Sequence, residues 1–324
     1  MTYTSGGLIQ ATDFNGFVST TASGNLNAIW GNSGYVNYGY GQANVPTVSV
    51  GSVVSATDWA NLVNKLSSVG AHTGVTITSR TAPVAGNTIT ILNNVATDLT
   101  NLYTSRANAA SSGSTISPAT GTWWQATNTP NSTWTITTTH TVTFANTSAA
   151  SWFFNSGGLL KWNVQKTSTG TEADTEWNDL ATTLAGIIYL SGANTSHSIN
   201  GTAYTGITKS GGTGTPTTLS TTTGFYNLTT TATTVYDQYA DTAPYTSDHI
   251  QVQMAVNSNT APTVLTVTTA WINASSATPG STEIITGGVA GTGPTTIVNY
   301  VAPETTNIAN SWGAITISAT TVQT

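Results

Sequence analysis

The chain has no cysteine and almost no charge: six Lys plus Arg and twelve Asp plus Glu among 324 residues. Without cysteine, neither a disulfide framework nor a thiolate metal site can be built. Charged residues make up 6% of the sequence, against about 25% in an ordinary globular domain. Most groups that perform acid–base chemistry, metal binding or phosphate binding are therefore missing, and the expectation is a protein that is not an enzyme. The basic residues Lys65, Arg80, Arg106, Lys161, Lys166 and Lys209 form no cluster, and the net charge is −6. Basic side chains supply most nucleic-acid affinity by neutralising phosphates, so nucleic acid is not expected as a partner. No apolar run has the length of a membrane span, and Met1–Gly7 lacks the basic start and apolar core of a signal peptide. No membrane insertion is expected. These features suit a protein made in the cytoplasm that later works outside a cell.

What fills the chain instead is Thr, Ser, Gly, Asn and Ala, in runs such as Thr217–Thr223 and Thr229–Thr234. Polarity of this kind does not imply disorder. Disordered chains are rich in Glu, Lys and Pro and poor in aromatics, whereas this one has 10 Trp, 12 Tyr and 6 Phe, each able to bury a large area. A surface of hydroxyls and amides loses little when ionic strength rises, so tolerance of high or variable salt is expected.

Residues 1–110 contain a short repeat. Gly6–Asn15 aligns with Gly51–Ala60, and more loosely Gly86–Asn93 joins them. Each copy reads as a turn glycine, an apolar anchor, a polar N-cap at Gln10, Ser55 or Thr90, and a helix. Ser55 with Asp58 three residues on has the form of a capping box. The helix after Ser55 places Trp59, Leu62, Val63, Leu66 and Val69 on one stripe, and the helix after Thr90 does the same with Leu92, Val95, Leu99 and Leu102. The first copy, with Gly16 and Gly24 among its apolar residues, reads as two short helices. Residues 1–110 are thus expected to form a small helical N-terminal docking domain.

Residues 111–121, small, polar and proline-bearing, read as a linker. Beyond them the period changes to two. Thr133–Phe144 alternates apolar and polar for six steps, and Leu159–Val164, Ile250–Val256, Val264–Ile272 and Ala314–Ile317 read likewise as strands. One inserted helix is expected near 172–185. The fold class expected is α+β: a small helical domain followed over 122–324 by a mainly antiparallel β-sandwich-like region.

Catalytic signatures are missing: no phosphate-binding glycine loop, no histidine pair at helical spacing, no nucleophile elbow. Gly-rich stretches such as Ser210–Gly214 read as strand connections. His72, His140, His197 and His249 stand far apart in sequence, with only Asp248 as a neighbouring carboxylate. A trimer could gather three copies of one histidine on its axis around a metal ion, but a partly buried strand residue is the reading preferred for His140. The one acidic run, Glu172, Asp174, Glu176 and Asp179, admits a Ca²⁺ site or a glycosidase pair; the preferred reading is acids gathered at a helix N-terminus, where they favour the macrodipole. No cofactor, metal or catalytic residue is expected.

Aromatics are the remaining candidates for contact. The segments Gly121–Gln125, Ser151–Asn155 and Gly224–Asn227 offer flat faces that suit sugar rings, although most aromatics bury. The Gly/Tyr loop between residues 31 and 44 looks like an exposed surface. The candidate contact residues are Tyr35, Tyr38, Tyr40, Trp123 and Trp124.

Gly7–Asn15, Ile29–Gly31, Gly39–Gln42 and Trp59–Leu62, continuing to His72, resemble the N-terminal region of structural proteins of tailed bacteriophages, particularly phages of marine bacteria and cyanobacteria. Asn131–Trp134, His140–Phe144, Phe153–Gly158, Trp177–Leu180 and Ala309–Gly313 are similar to later regions. The patches span most of the chain, and Phe-Phe-Asn-Ser-Gly-Gly at 153–158 is the most specific; Leu159–Lys161 departs from the more polar or basic continuation frequent there. The resemblance implies a virion protein, fibre- or tail-associated, and carries no catalytic residues. The expectation is a virion-located structural subunit, fibre/tail- or neck-associated, that partners copies of itself, as a homotrimer, and other phage virion proteins. The alternatives are an adhesin for host cell-surface glycan and a capsid decoration protein.

Overall fold

The computed structural model describes residues 10–19, 24–32, 39–85, 94–122, 125–128, 133–167, 172–275, 283–286 and 293–324. Four helices come first: α1 (Ala11–Val18), α2 (Leu26–Trp30), α3 (Ala56–Thr73) and α4 (Val95–Thr104). Strands β1 (Ser112–Thr115), β2 (Ala119–Thr122), β3 (Gln125–Asn128) and β4 (Trp134–Thr143) follow, then α5 (Thr147–Asn155), β5 (Leu159–Gln165) and α6 (Glu172–Asp179), which runs into a π-helical turn at Leu180–Leu184. The rest is strand: β6 (Ile187–Leu190), β7 (His197–Ile199), β8 (Thr202–Tyr204), β9 (Ile207–Ser210), β10 (Thr218–Leu219), β11 (Thr233–Tyr239), β12 (His249–Val256), β13 (Val264–Asn273), β14 (Glu283–Thr286), β15 (Thr295–Pro303) and β16 (Thr316–Gln323). The class is the expected α+β, with a small helical N-terminal region and an antiparallel β-rich remainder.

The helices form for local reasons. At α3, Ser55 Oγ accepts from Asp58 N at 3.2 Å and Asp58 Oδ2 accepts from Ser55 N at 2.8 Å, closing the capping box. Gly74, with φ 74°, ends it in the left-handed conformation. Its stripe of Trp59, Leu62, Val63, Leu66 and Val69 is buried, with Phe14 of α1 edge-on to Trp59 at 5.2 Å. At α1, Gln10 N donates to Asp13 Oδ2 at 2.9 Å. Thr90 and Leu92, read as the N-cap and first stripe residue of the third copy, lie outside the described residues; α4 starts at Val95 after Asn94 in the left-handed region.

Two six-stranded antiparallel sheets make the β body. One has the order β1-β15-β5-β6-β9, with β2 also pairing β15; the other runs β10-β11-β12-β13-β4-β16. Strict alternation in β4 buries Trp134, Ile136, Thr138, His140 and Val142 on one face. The sheets meet through aromatic and hydroxyl pairs. Trp162 Nε1 of β5 donates to Thr269 Oγ1 of β13 at 2.8 Å, and Trp271 Nε1 of β13 donates to Thr296 Oγ1 of β15 at 3.1 Å. Both threonines are fully buried. A buried indole N–H without an acceptor is costly, so part of the Thr enrichment serves the core.

Two expectations need correction. The 111–121 stretch is not a spacer, because β1 and β2 both pair with β15. Its small residues are needed by close packing: a Cβ on Gly121 would run into the Thr138 side chain. Nor is the inserted helix of the β region alone: α5 is a second one, capped by Asn146 Oδ1 accepting from Ala149 N at 2.9 Å. Its Phe153 and Phe154 turn inward, and Phe154 stacks on Phe225 at 4.3 Å. The β core is continuous with that of the helices, one apolar cluster running from Phe14 to Ile315.

Candidate functional site

The helical region and the β body are held together by polar groups from distant parts of the sequence. Gln42 grips the backbone of Ala309 in both directions: its Nε2 donates to Ala309 O at 2.8 Å, and Ala309 N donates to its Oε1 at 3.0 Å. Ser311 Oγ donates to Tyr40 O. His72 Nδ1 at the end of α3 meets Glu304 Oε1 at 2.6 Å, with both side chains buried. Burial pulls the His72 pKa down against Glu304, which favours the proton. Burial pushes the Glu304 carboxyl up, but His72 and the amides of Asn307 and Thr306 together hold it below the ordinary carboxylate value.

Beside this seam lies a cavity of about 500 Å³. Tyr40 and Arg106 line it from the helical side, and Asn155, His197, Tyr226 and Asn227 from the β side. Side chains hold one another in place there. Tyr226 Oη bonds Asn155 Oδ1 at 2.8 Å, and Asn155 Nδ2 donates to Gly39 O at 3.1 Å. Arg106 Nη1 donates to Tyr103 O at 2.6 Å, with the guanidinium over the Tyr103 ring at 4.1 Å. His197 is buried, bonded through Nδ1 to Thr195 O at 3.1 Å, and its pKa is lowered by burial. Amides, hydroxyls and aromatic faces of this kind suit a neutral, polar ligand.

Of the candidate contact residues, Tyr40 is interior: it is 1% exposed, its hydroxyl donates to Arg106 O at 2.7 Å, and burial pushes its phenol far above the usual tyrosine pKa. The expectation of an exposed Tyr40 is therefore corrected; the ring packs edge-on against His72 at 4.9 Å and joins the seam. Tyr35, Tyr38, Trp123 and Trp124 lie outside the described residues. Histidines depart from the sequence reading as well. His140 is fully buried, not partly, and burial lowers its pKa to about 4. Among the described residues a second carboxylate meets a histidine, Glu304 at His72; Asp248, beside His249, accepts through Oδ1 from the amides of Ala274 and Ser275.

The acidic run divides. Glu172 is exposed in the first turn of α6. Asp174 is in the first turn as well, and forms a fully buried ion pair with Lys166 at 2.5 Å. Glu176 is 8% exposed and comes together with Asp179 and with Asp241, just beyond β11. Sequence reasoning missed Asp241 because 64 residues of unrelated pattern separate it from Glu176, and missed Asn155 and Tyr226 as a pair for the same reason.

Among the described residues no helix is long and apolar enough to cross a membrane. Comparison with protein-family models, with curated proteins and with solved structures returns no match.

Proposed function

We propose that the chain is a structural subunit of a bacteriophage virion, fibre-, tail- or neck-associated, that acts by assembling with copies of itself, as a trimer, and by docking to other virion proteins. The observation that carries this reading is β16. Among the described residues it forms the outer strand of its sheet, paired only with β4. Eight residues long, it contains no charged residue and no proline, and Val322 is 57% exposed. Edge strands of monomeric proteins are usually short, charged or proline-broken, because free N–H and C=O groups recruit other strands. A long, neutral edge is suited to pairing with another chain. On the helical region, Val50 and Val53 are 83% and 87% exposed, an apolar tip of the kind a docking contact covers. A surface poor in charge lets such contacts form with little desolvated charge, each ion of which costs several kcal/mol. The test is a reconstruction of a purified particle: density that fits this chain at a repeated position supports the reading, and its absence from every position removes it.

The cavity beside Tyr226 favours a second reading, an adhesin for host cell-surface glycan. Binding on a glycan array that is lost in Tyr226→Ala would support it. Silence across the array would remove it.

A further inference from the structure

Glu176 and Asp179 stand near the C-terminal end of α6, and Asp241 lies on the loop after β11; one carboxylate oxygen from each falls within 4.8 Å of the others. Two oxygens each about 2.4 Å from a calcium ion can be at most about 4.8 Å apart, so the three groups can share one ion with little backbone movement. Proximity of acids alone means little, because exposed carboxylates often gather without a ligand. Glu176 is different. It is buried, 8% exposed, and its Oε1 has no hydrogen-bond partner. Thr242 hydrogen-bonds the same carboxylate, which leaves Oε1 as the unpartnered oxygen. A buried carboxylate oxygen without a partner is costly, and a cation held between the three groups would supply one.

We propose that Glu176, Asp179 and Asp241 bind a calcium ion. This goes beyond the acidic run seen in the sequence, since its third ligand comes from another element and two of the run's members, Glu172 and Asp174, are excluded. Glu176 supplies the buried, unpaired oxygen. Asp179 is half-buried and Asp241 exposed, so the site opens to solvent on one side and water completes the six to eight oxygens that calcium takes. Ligands drawn from a helix end and a loop, with water, suit the flexible geometry of calcium better than the strict octahedron of magnesium. The ion would fasten α6 to the loop following β11. With three carboxylates and an open side, affinity should lie on the order of 10⁻⁴ to 10⁻³ M, as in extracellular modules.

The test uses the full chain, freed of metal by chelator, with its thermal midpoint followed while calcium chloride is added to about ten times that dissociation range, at constant ionic strength. Calcium is expected to raise the midpoint by roughly 2–5 °C and magnesium at the same concentration by clearly less. Asp241→Asn, an exposed substitution that leaves the core intact, should abolish the rise. Glu172→Gln, on the same helix but outside the three, should retain it. Glu176→Gln should lose the calcium response and raise the calcium-free midpoint, because a buried charge is removed. No rise in the unmodified chain, an undiminished rise in Asp241→Asn, or a magnesium response equal to that of calcium would each overturn the proposal.

Discussion

His72 and Glu304, 232 positions apart in the chain, meet at 2.6 Å in the seam between the helical region and the β body. Glu304 Oε2 also accepts from the amides of Thr306 and Asn307, at 2.6 and 3.1 Å. One carboxylate thus organises the turn after β15 and anchors the end of α3. Removing it strips partners from a buried imidazole and two amides. Glu304→Ala is expected to cost about 1–3 kcal/mol of stability through the donors left unpaired, read by urea denaturation, and to make the helical region more accessible to protease. A loss below about 1 kcal/mol would show that the seam does not depend on this pair.

Gly41 has φ 73°, a conformation that L side chains rarely adopt, and a Cβ there would strike the Trp152 indole and Ser311. It lies between Tyr40 and Gln42, both held by the Ala309–Ser311 backbone and side chains. Gly41→Ala should therefore destabilise by more than about 1 kcal/mol. Gly51, also at positive φ but with open space around it, is the control: Gly51→Ala carries the conformational cost without the clash, and the two thermal midpoints should differ accordingly.

Much of this architecture is legible in the sequence, where a single element carries its own signal. The Ser55–Asp58 box and the Trp59–Val69 stripe mark α3, and the alternation from Thr133 to Phe144 marks β4, because capping and one-faced burial depend on residues a few positions apart. The 111–121 stretch misleads because close-packed strands and flexible spacers both call for small residues; what distinguishes them is β15, nearly 180 positions downstream. Helix α5 hides for a related reason: Ser148, Ala149, Ala150 and Ser151 give little periodic contrast before the aromatic run. The seam, the cavity and the group of Glu176 with Asp241 depend on pairings across tens to hundreds of residues, for which a single sequence has no local mark.

Trp271 and Thr296 test the use of threonine as an internal hydrogen-bond acceptor. Thr296→Val keeps the shape and leaves the indole N–H unpaired, and should cost about 1–3 kcal/mol. Adding Trp271→Phe removes the orphan donor, so the double variant should lose less than the sum of the two single losses. Strict additivity by denaturant titration would mean that the bond carries no weight.

His140 sets part of the response to acid. Burial lowers its folded pKa to about 4, below the ordinary 6.5, while its Nε2 bonds Ala119 O at 3.2 Å. The unfolded chain takes up this proton first, so the His140 contribution to stability is present above about pH 6.5 and is lost as pH falls toward 4. In an NMR titration the ring resonances should stay in the neutral form at pH 5.5, and His140→Gln should flatten the decline of stability between pH 6.5 and 4. Titration near 6.5 would contradict the burial argument.

The central claim is assembly through burial and strand pairing between like copies, and the mass of the purified chain in solution tests it most directly. By light scattering, the unmodified chain, 33.3 kDa, is expected to run as a trimer of about 100 kDa. Ser318→Lys with Val322→Lys, which places two charges along β16, should run as a monomer with unchanged circular dichroism. A monomeric mass for the unmodified chain, or a trimer indifferent to both lysines, would contradict the account.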